Sequence, residues 1–265
     1  MTSTHATQPM PSIFLSHGAP PLADDVLWTE ELSTWAGDLP RPSSILVVSA
    51  HWEAAPLTIS ATETVPLFYD FYGFAQRYYE VEYAAPGAPQ LAASVAKLLA
   101  SPGRNVYQDP ERGLDHGAYV PLVEMYPDAD IPVLQVSMPT LDPWSLFELG
   151  RKLAPLRDEG VLILGSGFST HNLSEMNLGA PDTSEPPTWS SEFDDWLDRT
   201  LAAGDIDALI DFQNKAPAAV LAHPRTEHFA PLFVALGAAI DDVPSIDTTI
   251  DGFWYGLSKR SIQIV

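Results

Sequence analysis

The sequence contains no cysteine among its 265 residues. Disulfide bonds, thiolate metal ligands, thiol nucleophiles and cysteine-bound iron–sulfur clusters are therefore excluded. Any metal ion must be held by imidazole, carboxylate or carbonyl groups, which suit Fe(II), Zn(II) or Mn(II). The absence of thiols thus narrows the possible metal chemistry before any motif is considered.

Basic residues are scarce. The chain has 13 lysines and arginines against 35 acidic residues, which gives a formal net charge of −22. Such a charge repels the phosphates of nucleic acids, so we expect no nucleic-acid partner. An acidic surface keeps a protein in solution and is also typical of a salt-adapted host, but it does not identify the chemistry.

Long apolar segments are missing as well. No run approaches the roughly 18–20 residues that a membrane span needs, so we expect no membrane partner. Residues 1–10 are polar and lack the basic-then-apolar pattern of a secretory signal, so we interpret them as a flexible tail. We therefore expect a cytoplasmic protein with one folded domain over residues 11–265, and the sequence indicates no oligomeric state.

Apolar runs of strand length alternate with segments of helical period, which is typical of an α/β fold. The unbroken runs Ile45-Leu46-Val47-Val48 and Val161-Leu162-Ile163-Leu164 predict strands that are buried on both faces. We predict a single domain with a central, mostly parallel sheet and helices on both faces. The predicted strands are 12–15, 45–49, 57–60, 133–136, 161–164 and 261–265. The predicted helices are 25–35, 89–100, 119–126, 144–156, 189–203 and 227–238.

Three of the seven histidines follow predicted strands. His17 comes after strand 12–15, His51 after strand 45–49, and His171 after strand 161–164. Ligands of open α/β sheets bind at the carboxyl ends of the strands. If the strands are parallel neighbours, the three imidazoles converge there, and we predict a metal site at this edge.

Two further histidines have different settings. His116 lies in a turn that leads into a helix, next to Asp115, which could orient an imidazole. His228 is predicted in the first turn of a helix, with Thr226 as the candidate N-cap. Its neighbour Glu227 is a rival ligand, since two histidines and one carboxylate form a common iron site.

The segment Gly165-Ser166-Gly167 matches neither of two familiar glycine motifs. It is not a nucleophile elbow, because Leu164 occupies the position of the first glycine. It is not a dinucleotide fingerprint either, because Thr170 stands where the third glycine is required. Elsewhere, residues 68–83 are rich in aromatic side chains, which could line a pocket for a planar ring.

Six segments carry a pattern that runs in order from about residue 12 to residue 237. They are Ser16-His17-Gly18-Ala19-Pro20, Ser49-Ala50-His51-Trp52, Tyr69-Asp70-Phe71-Tyr72-Gly73-Phe74, Leu114-Asp115-His116-Gly117-Ala118, Gly165-Ser166-Gly167 with His171-Asn172-Leu173, and Glu227-His228-Phe229-Ala230-Pro231-Leu232. Together these segments resemble the DOPA-dioxygenase type of extradiol ring-cleaving enzymes, related to the catalytic subunit of protocatechuate 4,5-dioxygenase.

The resemblance implies a single-domain α/β dioxygenase over residues 11–265, with one divalent metal ion held by His17, His51 and His228. It places His171 in the same site, as a fourth ligand or as an acid–base group, and His116 beside the substrate. Two positions depart from the family pattern. Ala75 stands in place of proline and Tyr119 in place of tryptophan, and the second departure puts the identity of the substrate in question.

The chemistry explains these residue types. Ring opening of a catechol by O₂ needs a redox-active metal, and Fe(II) held on one face leaves positions for the diol and O₂. A base must accept a proton and an acid must return one, which histidine does near neutral pH. His116 and His171 are the candidates. We expect a small aromatic diol and O₂ as partners, and Fe(II) for turnover, or Zn(II) in the purified protein.

Two other functions use the same histidines. A zinc hydrolase would activate water at a histidine-bound Zn(II) with an open position. A non-enzymatic binding module of the same fold would need neither His116 nor His171.

Overall fold

The computed structural model describes residues 8–100, 106–179, 185–239 and 245–265. Its strands are β1 (Ser12–Ser16), β2 (Ser44–Glu53), β3 (Thr58–Ile59), β4 (Tyr107–Gln108), β5 (Val133–Met138), β6 (Val161–Gly167), β7 (Ile246–Ile250), β8 (Phe253–Trp254), β9 (Leu257–Ser258) and β10 (Ser261–Ile264). Its helices are α1 (Val26–Asp38), α2 (Pro89–Leu99), α3 (His116–Met125), α4 (Pro143–Leu153), α5 (Thr188–Ala202), α6 (Ile206–Ile210), α7 (Phe212–Lys215), α8 (Ala219–Ala222) and α9 (Pro231–Ala239). Short 3₁₀ turns lie at Pro20–Asp24, Gln76–Tyr79, Ala154–Glu159 and Leu173–Glu175.

The main sheet has eight strands in the order β4-β3-β5-β2-β6-β1-β10-β7. Its four central strands, β5, β2, β6 and β1, are parallel to one another. Antiparallel pairs occur toward the edges, where β10 joins β1 and β7, and where β3 joins β5. The predicted mostly parallel sheet is confirmed. Strands β8 and β9 form a separate antiparallel pair.

Helices cover both faces of this sheet, as predicted. Successive side chains of a strand point to opposite faces, so Leu46 and Val48 enter one core while Ile45 and Val47 enter the other. The first core is closed mainly by α2, α4, α5 and α9, and the second by α1 and α3. Because both faces of the sheet are buried, a ligand can reach the central strands only at their ends.

The six predicted strands are present, and β2 is longer than expected, so that His51 lies inside the strand rather than after it. The short strands β4, β7, β8 and β9 and the short helices α6, α7 and α8 were not predicted. Their apolar patterns are too brief to show a period. Residues 179–187 are rich in proline, serine, threonine and acidic residues, a composition that favours a long surface loop within one domain over a linker between two lobes. Most of this segment, residues 180–184, lies outside the described part of the chain.

The prediction of a helix over 227–238 was wrong at its start. Helix α9 begins at Pro231, and His228 lies in the turn that precedes it. A helix from Glu227 would place Pro231 at an interior position, where its ring clashes with the carbonyl four residues earlier. Proline suits the first position of a helix instead, because its missing N–H has no partner there in any case.

Helix α3 begins three residues earlier than predicted, at His116. The side chain of Asp115 caps it by accepting a hydrogen bond from the N–H of Ala118 at 3.2 Å. Pro121 lies inside this helix. Since proline has no N–H, the carbonyl of Gly117, four residues earlier, loses its normal helical donor.

Residues 1–7 of the predicted tail lie outside the described part of the chain. Met10 is buried, and its N–H donates to the carbonyl of Arg157 at 3.1 Å. None of the helices in the described ranges is long and apolar enough to span a membrane.

Candidate metal centre

The first two histidines of the site lie at the carboxyl ends of two strands, β1 and β2. His17 directly follows β1, and its N–H donates to the carbonyl of Gly167 at the end of β6, at 2.9 Å. His51 lies near the carboxyl end of β2, the neighbour of β6 on its other side. The Nε2 atoms of His17 and His51 are 3.0 Å apart. The backbone of three adjacent parallel strands thus brings these two rings together.

The third imidazole comes from the turn before α9. The carbonyl of His228 accepts a hydrogen bond from the N–H of Phe168 at 2.8 Å, which joins this turn to the end of β6. The Nε2 of His228 lies 3.2 Å from the Nε2 of His51. His17, His51 and His228 form a group whose ligand atoms all lie within 4.8 Å of one another; we call it the histidine trio.

The trio fits a divalent metal ion. A cation about 2.1 Å from each nitrogen separates two ligand nitrogens by about 3.0 Å at a right angle and by about 3.4 Å at a tetrahedral angle. The observed separations of 3.0 and 3.2 Å match this range. Three imidazoles suit Fe(II) or Zn(II).

Each ring of the trio has a partner at its other nitrogen. The Nδ1 of His17 is 3.0 Å from the hydroxyl of Ser166. The Nδ1 of His228 is 2.9 Å from a carboxylate oxygen of Glu227, and that of His51 is 3.4 Å from a carboxylate oxygen of Asp70. Such contacts orient metal-binding imidazoles and fix their tautomers. Glu227, the predicted rival ligand, therefore contacts the far side of the His228 ring.

Asp70 is a site residue that sequence reasoning did not identify. Its Oδ1 atom lies 2.7 Å from the Nδ1 of His116 and accepts from the N–H of His116 at 3.1 Å, while Oδ2 faces His51. The ring centroids of His51 and His116 are 4.0 Å apart. The signal in the sequence was an acidic residue inside an aromatic segment, because a carboxylate that packs among aromatic side chains requires polar partners.

Asp115, the predicted orienting group for His116, has other contacts. Its carboxylate is fully buried and accepts from the hydroxyl of Ser49 at 2.8 Å and from Arg112 at 3.0 Å. The amide of Gln135 also donates to it. Asp115 therefore fixes the start of α3, and Asp70 orients the His116 ring.

His171 adjoins the trio through one member. Its ring stacks on the ring of His228, with centroids 3.4 Å apart and planes at 12°. Its N–H donates to the carbonyl of Ala222 at 2.9 Å. His171 belongs to a second group of possible ligands with Glu227 and His228, rather than to the trio itself.

His223, the other histidine of the described residues, lies outside this arrangement. The Nε2 of His223 donates to the carbonyl of Ser169 at 2.9 Å, and its ring lies among Phe193, Phe212 and Phe229. His5 lies outside the described residues.

Burial keeps the trio neutral. Burial, and next the charge of His116, lower the pKa of His51 to about 3, although Asp70 opposes this shift. Burial is also the main cause that lowers the pKa of His17 and of His228 well below the usual value, and neighbouring histidines lower it further. Neutral imidazoles carry the lone pair that a metal ion needs.

The two groups beside the trio are shifted as well. Burial, followed by the charges of His51 and His116, lowers the pKa of His171 to about 4. Burial raises the pKa of Asp70, but the hydrogen bond and charge of His116 outweigh it, so the pKa falls below its usual value. Asp70 is therefore ionised at neutral pH.

Aromatic side chains of the segment after β3 lie beside His116. The ring of Phe71 meets the His116 ring edge-on at 5.7 Å, and it contacts Tyr79 at 4.7 Å and Phe74 at 5.6 Å. Tyr69 packs on Tyr119 at 5.9 Å. The aromatic side chains that were predicted to line a pocket thus lie next to the imidazoles, and Tyr119 packs against one of them, Tyr69.

Comparisons with known proteins identify the family of this chain. The family model described as the catalytic LigB subunit of aromatic ring-opening dioxygenase matches residues 4–253. A protein of Beta vulgaris named 4,5-DOPA dioxygenase extradiol is 45% identical over 235 residues, covering 86% of each chain. A protein of the same name from Escherichia coli K12 is 39% identical over 263 residues, covering 96% of this chain and 94% of that one.

A solved structure shows the same fold. The crystal structure of an uncharacterized protein from Escherichia coli K12 superposes with a TM-score of 0.81 at 37% identity, covering 97% of this chain and 100% of that chain. The predicted resemblance and the predicted enzyme class are confirmed. This chain belongs to the family of the catalytic LigB subunit of aromatic ring-opening dioxygenases.

Proposed function

We propose that this chain is an extradiol dioxygenase that opens the ring of a DOPA-like catechol with O₂ at a single Fe(II) held by His17, His51 and His228. The observation that carries the proposal is the convergence of three Nε2 atoms at separations of 3.0 and 3.2 Å at the carboxyl edge of the sheet. The relatives named 4,5-DOPA dioxygenase extradiol support the substrate class.

The metal ion supplies the redox chemistry that lets O₂ react with the diol and makes loss of the diol protons easier. His17, His51 and His228 would hold this ion through their imidazole nitrogens. Burial of His17 and His228 keeps water away from their rings.

His116 exchanges a proton with the substrate. Asp70 accepts from its Nδ1, so Nε2 is the atom left for proton transfer. His171 is the second proton-transfer group. With a pKa of about 4 it is neutral at neutral pH, so it first accepts a proton and can then return it. Its stacking on His228, outside the trio, supports this role over that of a fourth ligand.

Phe71 forms the wall against which the substrate ring is held. It is partly exposed, lies edge-on to His116 and is fixed from behind by Tyr79. An aromatic edge next to the proton-transfer group suits a planar ring.

The proposal extends to the whole unit over residues 11–265 as one catalytic domain, because the family match spans almost the same range. It also includes a cytoplasmic location, whose reducing conditions suit Fe(II). The protein purified in air carries Zn(II), which binds nitrogen sites more tightly than Fe(II) does.

The test is anaerobic reconstitution with Fe(II), followed by a panel of catechols that includes DOPA, and then air. We expect a yellow ring-opened product, with oxygen uptake equal to substrate consumed. Product with Zn(II) in place of Fe(II), or none with any catechol despite stoichiometric Fe(II), contradicts the proposal.

A further inference from the structure

The segment Gly165-Ser166-Gly167 ends the central strand β6, between the strands that carry His17 and His51. Its register places Ser166 opposite Leu15 on β1 and Ser49 on β2. The side chain of Ser166 is fully buried. A polar side chain at such a place needs hydrogen-bond partners, and those of Ser166 lie on two different elements.

The first partner is the carbonyl of Gly117 in α3, to which the Ser166 hydroxyl donates. This carbonyl lacks its helical donor because Pro121 has no N–H. A carbonyl oxygen can only accept. The single hydroxyl proton of Ser166 is therefore committed to Gly117.

The second partner is the Nδ1 of His17, 3.0 Å from the Ser166 oxygen. Since the hydroxyl proton points to Gly117, the oxygen can only accept from His17. The proton of the neutral His17 ring must then be on Nδ1, and Nε2 carries the lone pair. This is the nitrogen that lies 3.0 Å from the Nε2 of His51.

We infer that Ser166 is a positioning residue that selects the metal-binding tautomer of His17. Pro121 fixes the direction of the Ser166 hydroxyl, because it leaves the Gly117 carbonyl without its helical donor. The inference rests on the proposed metal site. The other two members of the trio are oriented by the carboxylates of Glu227 and Asp70. His17 is thus the member whose tautomer is selected by a neutral group, and a change of one oxygen atom removes that selection.

The first experiment reads the tautomer directly in the metal-free protein. The chain is labelled with ¹⁵N-histidine, treated with a chelator, and examined by long-range ¹H–¹⁵N correlation at neutral pH; signals missing in His17→Gln identify His17. We expect Nδ1–H in the wild type and a shift toward Nε2–H in Ser166→Ala. Ser12→Ala is the matched control, because Ser12 is also buried and its hydroxyl donates to a strand carbonyl, that of Ile163. It should leave the His17 signals unchanged.

The second experiment measures Zn(II) affinity by competition with a chelator. Loss of a group that orients a metal-binding histidine costs on the order of 10- to 100-fold in affinity, so we expect this loss in Ser166→Ala and none in Ser12→Ala. Ser166→Cys, whose thiol is a weak donor and acceptor, should lie between and replaces the alanine variant if that variant does not fold.

A wild-type His17 that is mainly Nε2–H without metal overturns the inference, and so does an unchanged tautomer in Ser166→Ala. These results do not depend on turnover. If the wild type binds no metal, the proposed function fails while the tautomer result still stands.

Discussion

The site consists of two halves that contain the same kinds of groups. In the strand half, His51 belongs to the trio, Asp70 is the carboxylate and His116 is the additional imidazole. In the loop half, the corresponding residues are His228, Glu227 and His171. Each half thus places one member of the trio beside a carboxylate and an additional imidazole.

The halves differ in how the carboxylate is used. Asp70 contacts both imidazoles of its half. Within the described ranges, Glu227 contacts His228 and Arg225, while His171 is held by ring stacking and by its backbone. A shared carboxylate couples a ligand to its proton-transfer partner, whereas stacking leaves the second ring free to change its hydrogen bonds. We therefore expect the strand half to be the more rigid.

Loss of either ligand should have the largest effect. His51→Gln and His228→Gln should both lose stoichiometric metal and all ring-opening activity, because two imidazoles bind a divalent ion far more weakly than three. Metal content after dialysis against Fe(II) or Zn(II) measures this. His223→Gln, a buried histidine outside the site, is the control and should keep the metal. Metal retained in one of the two ligand variants would show that the halves are not equivalent.

Loss of the additional imidazoles should separate proton transfer from metal binding. His116→Phe and His171→Phe should keep the metal and lower the single-turnover rate by about 10²- to 10⁴-fold, the usual contribution of a general acid or base. Metal content and rate are measured on the same samples. If His171→Phe loses its metal, His171 is a fourth ligand and the symmetry between the halves is broken.

The close contact between β6 and the loop half gives the next prediction. A Cβ at Gly167 would overlap the carbonyl oxygen of His228, so Gly167→Ala must push the turn with His228 away. Disturbing the orientation of a metal-binding histidine costs on the order of 10- to 100-fold in metal affinity, and we expect a loss of about that size. Gly37→Ala meets no atom within 4 Å and should bind as the wild type does. Equal affinities in the two variants would contradict a tightly fitted loop half.

The smallest effect is expected for Glu227→Gln. The amide oxygen of glutamine still accepts from the Nδ1 of His228, so Zn(II) affinity should fall by no more than about 10-fold, the lower end for such orienting groups. Glu53→Gln serves as the control, because Glu53 contacts Arg225 and not an imidazole. Complete loss of metal in Glu227→Gln alone would make Glu227 the third ligand, in the class with two histidines and one carboxylate.

The positions of His17 and His51 were predictable because they follow from apolar runs. His17 and His51 come at the ends of buried strands, and parallel neighbours bring such ends together. The loop half was less accessible, because His228 meets His51 across 177 positions of sequence through a turn without a periodic pattern. Its place came from the family resemblance, and only Pro231 indicated where α9 begins.

Asp70 and Ser166 were missed for a related reason. Their roles depend on which atoms face them from other elements, namely His116 and His51 for Asp70, and Gly117 and His17 for Ser166. Neither aspartate nor serine has a characteristic sequence spacing that would indicate a role in orienting an imidazole. Sequence patterns predict the elements, while the contacts between elements decide which polar side chains serve the site.

Pro121 inside α3 affects the stability of the helix and the geometry of the metal site in opposite directions. Replacing Pro121 with alanine would give the helix back an N–H and a better interior residue, so the helix itself gains stability. The same N–H would compete for the Gly117 carbonyl and release the Ser166 hydroxyl from its fixed direction. A screen that selects only for thermal stability should therefore favour replacements at this position that impair the enzyme, a local trade-off between stability and activity.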